Sequence, residues 1–286
     1  MHKIAFHAPA RISLFGGGTD VPSYSEVHGG AVISMAIDIY NHYYIDYLNK
    51  SIVTATNFSG YISSGLGSSA SFFVSFIAAQ AKVNGITMTP YEIASRAWVL
   101  ENTVLGKYTG KQDHYISALG GFRLLVFNKE QTVESQLLPV GDISDWIILL
   151  YTGRGRDNNK IQNHMKSLSK RKIKSLHEIK KLVLYASDAI RRGDYYTLGG
   201  LLADSWEMKK ELDPHISNPY IDGIYATGME NGAIGGKLLG AGGGGYMIFI
   251  CDPQKNNKLK QALRSPVTEI IDFSIDMKGV YESITP

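Results

Sequence analysis

The chain has 286 residues, 44% hydrophobic and 19% charged, with a formal net charge of +3 at pH 7. That length favours two packed domains, the composition is that of a folded globular chain with no low-complexity block, and so small a charge excess gives no electrostatic footprint for nucleic acid. A single cysteine, Cys251, excludes an intramolecular disulfide and a cysteine zinc cluster, and the apolar run in residues 1–10, broken by His7 and Pro9, is too short for a signal peptide or membrane span, so a cytoplasmic protein is expected.

Residues 3–8 and 31–48 are rich in aromatic and β-branched side chains and read as strands flanking the turn Gly16-Gly17-Gly18. Residues 68–83 form an apolar, alanine-containing stretch with a serine N-cap candidate and a stop at Asn84-Gly85, which predicts a largely buried helix. Thr89-Pro90-Tyr91-Glu92 is a capping box, with proline at the first helical position, opening a helix that runs towards Gly106. The apolar run 146–151 predicts a buried strand, and the domain boundary is placed just before it, giving residues 1–145 and 146–286. From residue 158 to about 192 the pattern is helical and polar, and the lysine-rich section 166–181 reads as a solvated helix face rather than a polyanion site. Helices follow at 195–211 and 218–230, the second capped by Asn218 with Pro219 next, and then a strand, a glycine-rich turn and a strand over 233–251. No internal repeat is present.

The strongest local signal is Ser64-Gly65-Leu66-Gly67-Ser68-Ser69-Ala70, a glycine loop that runs into a helix. Glycines allow close backbone approach to a ligand, and the helix N-terminus offers free N–H groups and a positive dipole end to phosphate oxygens. The same residues also suit a plain loop with a serine cap. The spacing is neither that of a Walker A loop nor that of a dinucleotide fingerprint.

Three segments in order carry a family resemblance. Residues 8–20, Ala-Pro-Ala-Arg-Ile-Ser-Leu-Phe-Gly-Gly-Gly-Thr-Asp, resemble the first motif of the GHMP kinases, the superfamily of galactokinase, homoserine kinase, mevalonate kinase and phosphomevalonate kinase. Residues 65–70 resemble its second motif, the ATP-phosphate loop, and residues 235–245, Gly-Gly-Lys-Leu-Leu-Gly-Ala-Gly-Gly-Gly-Gly, its third. Taken alone, that last glycine run would read as a turn between strands. Gly110-Lys111-Gln112-Asp113, Gly120-Gly121-Phe122 and the triple glycine before Thr19-Asp20 are most similar to the D-glycero-D-manno-heptose 7-phosphate kinase subgroup, with fucokinases a near neighbour. Galactokinases carry larger polar residues where Gly17 and Gly18 stand.

The resemblance implies an α+β fold of two domains, ribosomal-protein-S5 domain-2-like and then ferredoxin-like, with the active site between them. It implies ATP and Mg²⁺ as cofactors and phosphorylation of the anomeric hydroxyl of a sugar phosphate, best matched by heptose 7-phosphate, giving the 1,7-bisphosphate. A free sugar such as fucose is the alternative acceptor, and an inactive sugar-binding or regulatory protein the alternative from another class. Expected partners are small molecules, with neither nucleic acid nor membrane, in a monomer or homodimer. By the same resemblance Gly65, Leu66, Gly67, Ser68, Ser69 and Ala70 hold the ATP phosphates, and Ser69 and Glu101 ligate the metal. Glu101, twelve positions before Asp113, has a spacing one residue longer than in mevalonate kinase, and its residue pattern alone also fits an ordinary exposed helix glutamate.

Asp113 is expected to take or orient the acceptor's hydroxyl proton, with Arg11 beside it stabilising charge on the transferring phosphoryl group. On its residues alone Asp113 could instead be a loop aspartate capping backbone N–H groups. Asp20 would accept hydrogen bonds from sugar hydroxyls, or else close an Asx-turn before Pro22. Gly17, Gly18, Thr19, Gly242 and Gly243 complete the expected acceptor site, and Lys111, Arg154 and Arg156 are the candidate ligands for an acceptor phosphate. Residues 49–64 are shorter than the family's usual interval, as though some tens of residues were missing near the nucleotide.

Overall fold

The computed structural model describes residues 3–46, 51–56, 65–154 and 165–285. Strand β1 (Lys3–Phe15) pairs antiparallel with β2 (Gly30–Asp46), and the register shifts between Pro9 and Ala10. Side chains alternate along a strand, so Phe6, Ala8, Ala10, Ile12 and Leu14 would share one face if β1 were regular. Instead Phe6 and Ala8 enter one hydrophobic core, and Ala10, Ile12 and Leu14 enter another. The irregular pairing exchanges the faces of the strand. Arg11, between Ala10 and Ile12, is thereby turned away from their core.

The first sheet continues with β3 (Ser51–Thr56) on β2, then β4 (Phe122–Phe127) and β5 (Val133–Leu137), and its far edge is β10 (Tyr281–Thr285) on β1. The second sheet has the order β7 (Ala233–Leu238), β8 (Tyr246–Cys251), β6 (Ile147–Tyr151), β9 (Glu269–Ile271), and every pairing in both sheets is antiparallel. Helix α1 (Pro22–His28) follows the first glycine turn, and α2 (Ser68–Val83), α3 (Pro90–Val99) and α4 (Gln112–Leu119) pack on one face of the first sheet. After the short α5 (Ile143–Trp146), α6 (Lys170–Arg192) and α7 (Tyr195–Lys210) join the other face to the second sheet. Helices α8 (Pro219–Glu230) and α9 (Asn256–Leu263) cover the second sheet's remaining side. The fold is α+β, as expected. Among the described residues no helix is long and apolar enough to cross a membrane.

Two differences from the sequence reading have physical causes. The chain's last strand returns to β1, so a division by sheets places Tyr281–Thr285 with the first sheet and not with residues 146–286. Strand pairing is long-range and leaves no local mark on so short a segment. The helix opened by the capping box also stops being α-helical at Val99 and continues as a π-helical turn, Leu100–Val104. The shortened interval 49–64 lies mostly outside the described residues; within it β3 pairs with the end of β2.

The box itself is formed in full: Thr89 Oγ1 accepts from Glu92 N at 3.3 Å, and Glu92 accepts from Thr89 N at 2.7 Å. Because Thr89 is remote from the cavity described below, Thr89→Ala is expected to lower stability by about 1 kcal/mol in urea unfolding and leave turnover unchanged. An unchanged unfolding midpoint would show that the box contributes nothing.

Candidate active site

A cavity of about 150 Å³ opens where the first glycine turn and the start of α4 face α7 and the β7–β8 turn. Arg11, Ser13, Gly17, Gly18, Asp20, Gln112 and Asp113 line one side; Lys209, Lys237, Gly240 and Ala241 line the other. Both sheets therefore contribute to a single site.

At its floor Arg11 grips Asp113 with two parallel bonds, Nε to Oδ1 at 2.7 Å and Nη2 to Oδ2 at 2.6 Å. Its remaining terminal nitrogen, Nη1, donates to the Gly65 carbonyl, and its backbone N–H donates to Leu66 O at 2.9 Å. Arg11 is 4% exposed and Asp113 26%, so the carboxylate keeps an open edge towards the cavity while the guanidinium is sealed beneath it. Asp113 belongs to the first turn of α4, not to a loop, and the positive end of that helix favours its negative charge.

The loop at residues 65–70 is held against this pair. Gly67 is left-handed at φ 74°, and a Cβ there would stand 3.2 Å from Arg11 Cγ and 3.4 Å from Asp113 Oδ2. Only glycine brings the backbone this close without strain. The Leu66 side chain is fully buried in the core, which leaves its backbone as its contribution to the loop. Gly67 gives α2 no side-chain cap, so the first-turn amides remain available to an anion. Ser64 lies outside the described residues.

Glu101 sits in the π-helical turn and is 2% exposed, which excludes an ordinary surface glutamate. Its Oε2 accepts from His114 Nε2 at 2.8 Å, its Oε1 accepts from Ser69 Oγ, and Lys107 Nζ stands 3.6 Å from Oε1. Burial pushes the Glu101 pKa up, but the hydrogen bond and charge of His114, then the Ser69 hydrogen bond and the Lys107 charge, outweigh it and hold the carboxyl below its ordinary value. An ionised Glu101 can only accept, so Nε2 carries the hydrogen of this bond; the buried Nδ1 has no hydrogen-bond partner among the described residues. Lys107 Nζ is also 3.2 Å from Ser69 Oγ, so a cation already lies beside both oxygens. Two adjacent protein oxygens next to an anion-ready helix terminus fit Mg²⁺, which takes few protein ligands and completes its shell with phosphate and water. Among the described residues there is no cage of three or more metal-ligating side chains, and none is required.

Several expected residues are placed differently. Asp20 lines the cavity but is 2% exposed, accepting from Gly18 N at 3.1 Å, Gln112 N at 3.1 Å and Gln112 Nε2 at 3.3 Å. Burial, and then the Asp113 charge, raise its pKa against the pull of those amides. Its carboxylate is seated on the N-terminus of α4 and is not an Asx-turn before Pro22. The Thr19 hydroxyl is spent on the Gly16 and Ala31 carbonyls at 2.8 and 2.9 Å and does not reach the cavity. Lys111 is turned away: its ammonium lies 4.8 Å from the Trp98 ring centroid and donates to Gln131 O. Arg154 stacks on Tyr220 at 3.9 Å, Gly242 and Gly243 pack on Ile216, and none of the three lines the cavity. Arg156 lies outside the described residues. Gly17 and Gly18 line the cavity as expected. The cations found there, Lys209 and Lys237, were not singled out from the sequence, although Lys237 lies inside the third motif.

Comparison with known proteins comes to the same place. The chain matches the GHMP kinases N terminal domain over residues 32–121 and GHMP kinases C terminal over residues 186–268, together well over half its length. It is 29% identical over 338 aligned positions to a D-glycero-alpha-D-manno-heptose 7-phosphate kinase of Campylobacter jejuni, covering 98% of each chain. It is also 29% identical over 232 positions to an L-fucokinase/L-fucose-1-P guanylyltransferase of Bacteroides fragilis, covering 76% of this chain and 24% of that longer protein. A Campylobacter jejuni crystal structure provisionally described as a sugar kinase matches with a TM-score of 0.75 at 26% identity, over 99% of this chain and 98% of that one.

The seat of Asp20 gives a test of the cavity. A Cβ on Gly110 would fall 1.9 Å from Asp20 Oδ2, so Gly110→Ala must displace the carboxylate or the start of α4. With the acceptor mispositioned by the order of 1 Å, kcat/KM for the acceptor is expected to fall about 10²-fold, while ATP affinity by calorimetry is retained. Wild-type kcat/KM would show that the Asp20 seat is not part of the working site.

Proposed function

We propose that this chain, an ATP-dependent sugar kinase that belongs to the GHMP kinase family, takes a sugar phosphate as acceptor, with D-glycero-D-manno-heptose 7-phosphate phosphorylated at its anomeric hydroxyl the best single candidate. The observation that carries this reading is the cavity itself, where two lysines, Lys209 and Lys237, stand beside the Arg11–Asp113 pair. Two lysines beside a pair that is already neutralised suit a phosphorylated ligand. The end-to-end similarity to a heptose 7-phosphate kinase supports the same choice, whereas the similarity to the fucokinase covers less of this chain. The product would be the 1,7-bisphosphate. A cytoplasmic location, where ATP and sugar phosphates are found, follows from this reading.

Phosphoryl transfer asks a protein for alignment, charge neutralisation and exclusion of water. Asp113 keeps lone pairs beyond those engaged by Arg11, and its open edge lets it take the acceptor's hydroxyl proton as the oxygen attacks. Arg11 holds that carboxylate in place and sets positive charge beside the transferring group. The amides of residues 67–70 would receive ATP phosphates, and Ser69 and Glu101 would hold Mg²⁺. When bound, Mg²⁺ supplies charge neutralisation at the phosphate oxygens. His114 fixes the Glu101 carboxylate in one orientation. Asp20, in place of a freely offered carboxylate, presents what remains of its acceptor capacity at the cavity wall.

Steady-state kcat/KM for heptose 7-phosphate, free heptose and fucose tests the acceptor class: the phosphorylated sugar is expected to be preferred, and preference for a free sugar would overturn that choice. Asp113→Asn is expected to lower kcat by about 10²-fold or more with ATP binding intact, the scale of a lost general base; near wild-type kcat would remove Asp113 from the reacting step. Ser69→Ala should raise the Mg²⁺ concentration needed for half-maximal rate, and an unchanged Mg²⁺ dependence would exclude the hydroxyl as a ligand.

A further inference from the structure

We propose that Lys237 binds a phosphate dianion in the cavity, as the cation there with the most unspent hydrogen-bonding capacity. Lys237 is 3% exposed, projects from β7 into the cavity lining, and has one hydrogen bond among the described residues, from Nζ to Leu14 O at 2.8 Å. An ammonium has three donors, and burying donors without partners is costly. The other two cations lining the cavity are more fully engaged: Arg11 by Asp113 and the Gly65 carbonyl, Lys209 by the carbonyls of Leu238 and Gly240. Neither carboxylate of the cavity answers Lys237, since Asp113 pairs with Arg11 and Asp20 is seated on α4. A dianionic phosphate oxygen supplies the acceptors that are missing.

The surroundings add a signature. Burial, and then the Arg11 charge, lower the Lys237 pKa to about 7. The charged groups around the cavity are Arg11 from β1, Asp20, Asp113 from α4 and Lys209 from α7; β8 offers no carboxylate or cationic side chain, and Asp222 and Glu230 of α8 are exposed to solvent. At pH 8 the ligand-free site therefore holds Lys237 largely neutral, and an arriving dianion favours its charged form. Binding then draws a proton from solution. A sugar phosphate is already fully dianionic at pH 8, with its second pKa near ~6, so the proton does not go to the ligand.

The inference rests on the sugar-phosphate reading only for the choice of acceptor, because the phosphate could come from the acceptor or from the end of ATP. Titration calorimetry at pH 8 in two buffers of different ionisation enthalpy counts the protons, with heptose 7-phosphate alone, ATP alone, and free heptose as a phosphate-free control. Wild type is expected to take up a substantial fraction of one proton with a phosphorylated ligand and none with free heptose. Uptake with the sugar phosphate places Lys237 on the acceptor's phosphate; uptake with ATP places it on the terminal phosphate. Lys237→Met should abolish the uptake and weaken that ligand roughly ten- to a hundredfold, the scale of a lost charge-assisted bond. Lys237→Arg should bind the ligand with no uptake, its guanidinium being permanently charged. Wild-type affinity for both phosphorylated ligands in Lys237→Met, or uptake retained in Lys237→Arg, would overturn the proposal, the second even if Lys237→Met fails to fold. A kinetic preference for a free sugar would instead remove the acceptor class and leave the ATP arm to decide the role of Lys237.

Discussion

The bidentate contact between Arg11 and Asp113 is the constraint on which the site depends, because three segments distant in sequence meet there. Through it β1 holds the first turn of α4, and through the Gly65 carbonyl the same guanidinium holds the loop that leads into α2. A lysine could not do this: its ammonium is a point charge, whereas the planar fork of arginine fixes direction and separation together. The buried guanidinium is tolerable because the carboxylate meets its charge along one edge and its third nitrogen has a carbonyl. The glycine loop and the Asp113 carboxylate are thus positioned by one side chain, and neither can shift independently of the other.

A second layer of contacts keeps this core from relaxing. Glu101 is drawn inward by the π-helical turn, where the wider winding redirects a helix face, and His114, next to Asp113 in the first turn of α4, closes on it. Ser69, at the start of α2, completes the link, so α2, α4 and the turn after α3 share one polar network behind the loop. On the opposite side Lys237 reaches from the second sheet to the Leu14 carbonyl, tying β7 to the end of β1. The cavity is a seam between two sheets, cross-linked by the polar side chains that line it.

What could be read from the sequence is what local chemistry decides. The extent of the helix over residues 68–83, the capping box at Thr89 and the Asn218 cap were legible because each depends on residues within a few positions of one another, although the serine expected to cap the first helix does not, Gly67 holding that position without a side-chain bond. The fold brings Arg11 onto Asp113 and Ser69 onto Glu101, residues far apart in the chain. The misplacements share one cause: spacing in sequence does not give the direction of a side chain. Lys111 is next to Gln112 and Asp113, yet the turn into α4 sends it to Trp98; Thr19 adjoins Asp20, yet the tight turn takes its hydroxyl for its own carbonyls. Lys237 was hidden for the opposite reason, being one ordinary lysine amid glycines until burial and the cavity gave it a role. A partner for β1 at the far C-terminus could be supplied only by tertiary pairing.

The electrostatics of the cavity argue for the kind of ligand that completes it. Arg11 and Asp113 neutralise each other, and Asp20 is stabilised by amides of α4 but held in a setting that disfavours its charge. Lys237 has the converse problem, a cation in a place that disfavours cations. Their strains cannot relieve one another directly, since no ion pair joins them among the described residues, and the glycine wall between the first turn and α4 leaves open space there. A ligand with hydroxyls at one end and a phosphate at the other would answer both: hydroxyl donors on the carboxylate side and anionic oxygens on the ammonium side. A site preorganised in this way pays for selectivity in the empty state, because polar groups left without partners are costly when buried and recover that cost only when the matching ligand binds. Were the phosphate on Lys237 the acceptor's, a sugar lacking it would satisfy the carboxylates and leave the lysine uncompensated; were it the end of ATP, the lysine would hold the donor and not choose the acceptor. Discrimination by an unmet buried group is far stronger than discrimination by shape, so in the first case the lysine, and not the room left by Gly17 and Gly18, would separate a phosphorylated acceptor from a free one.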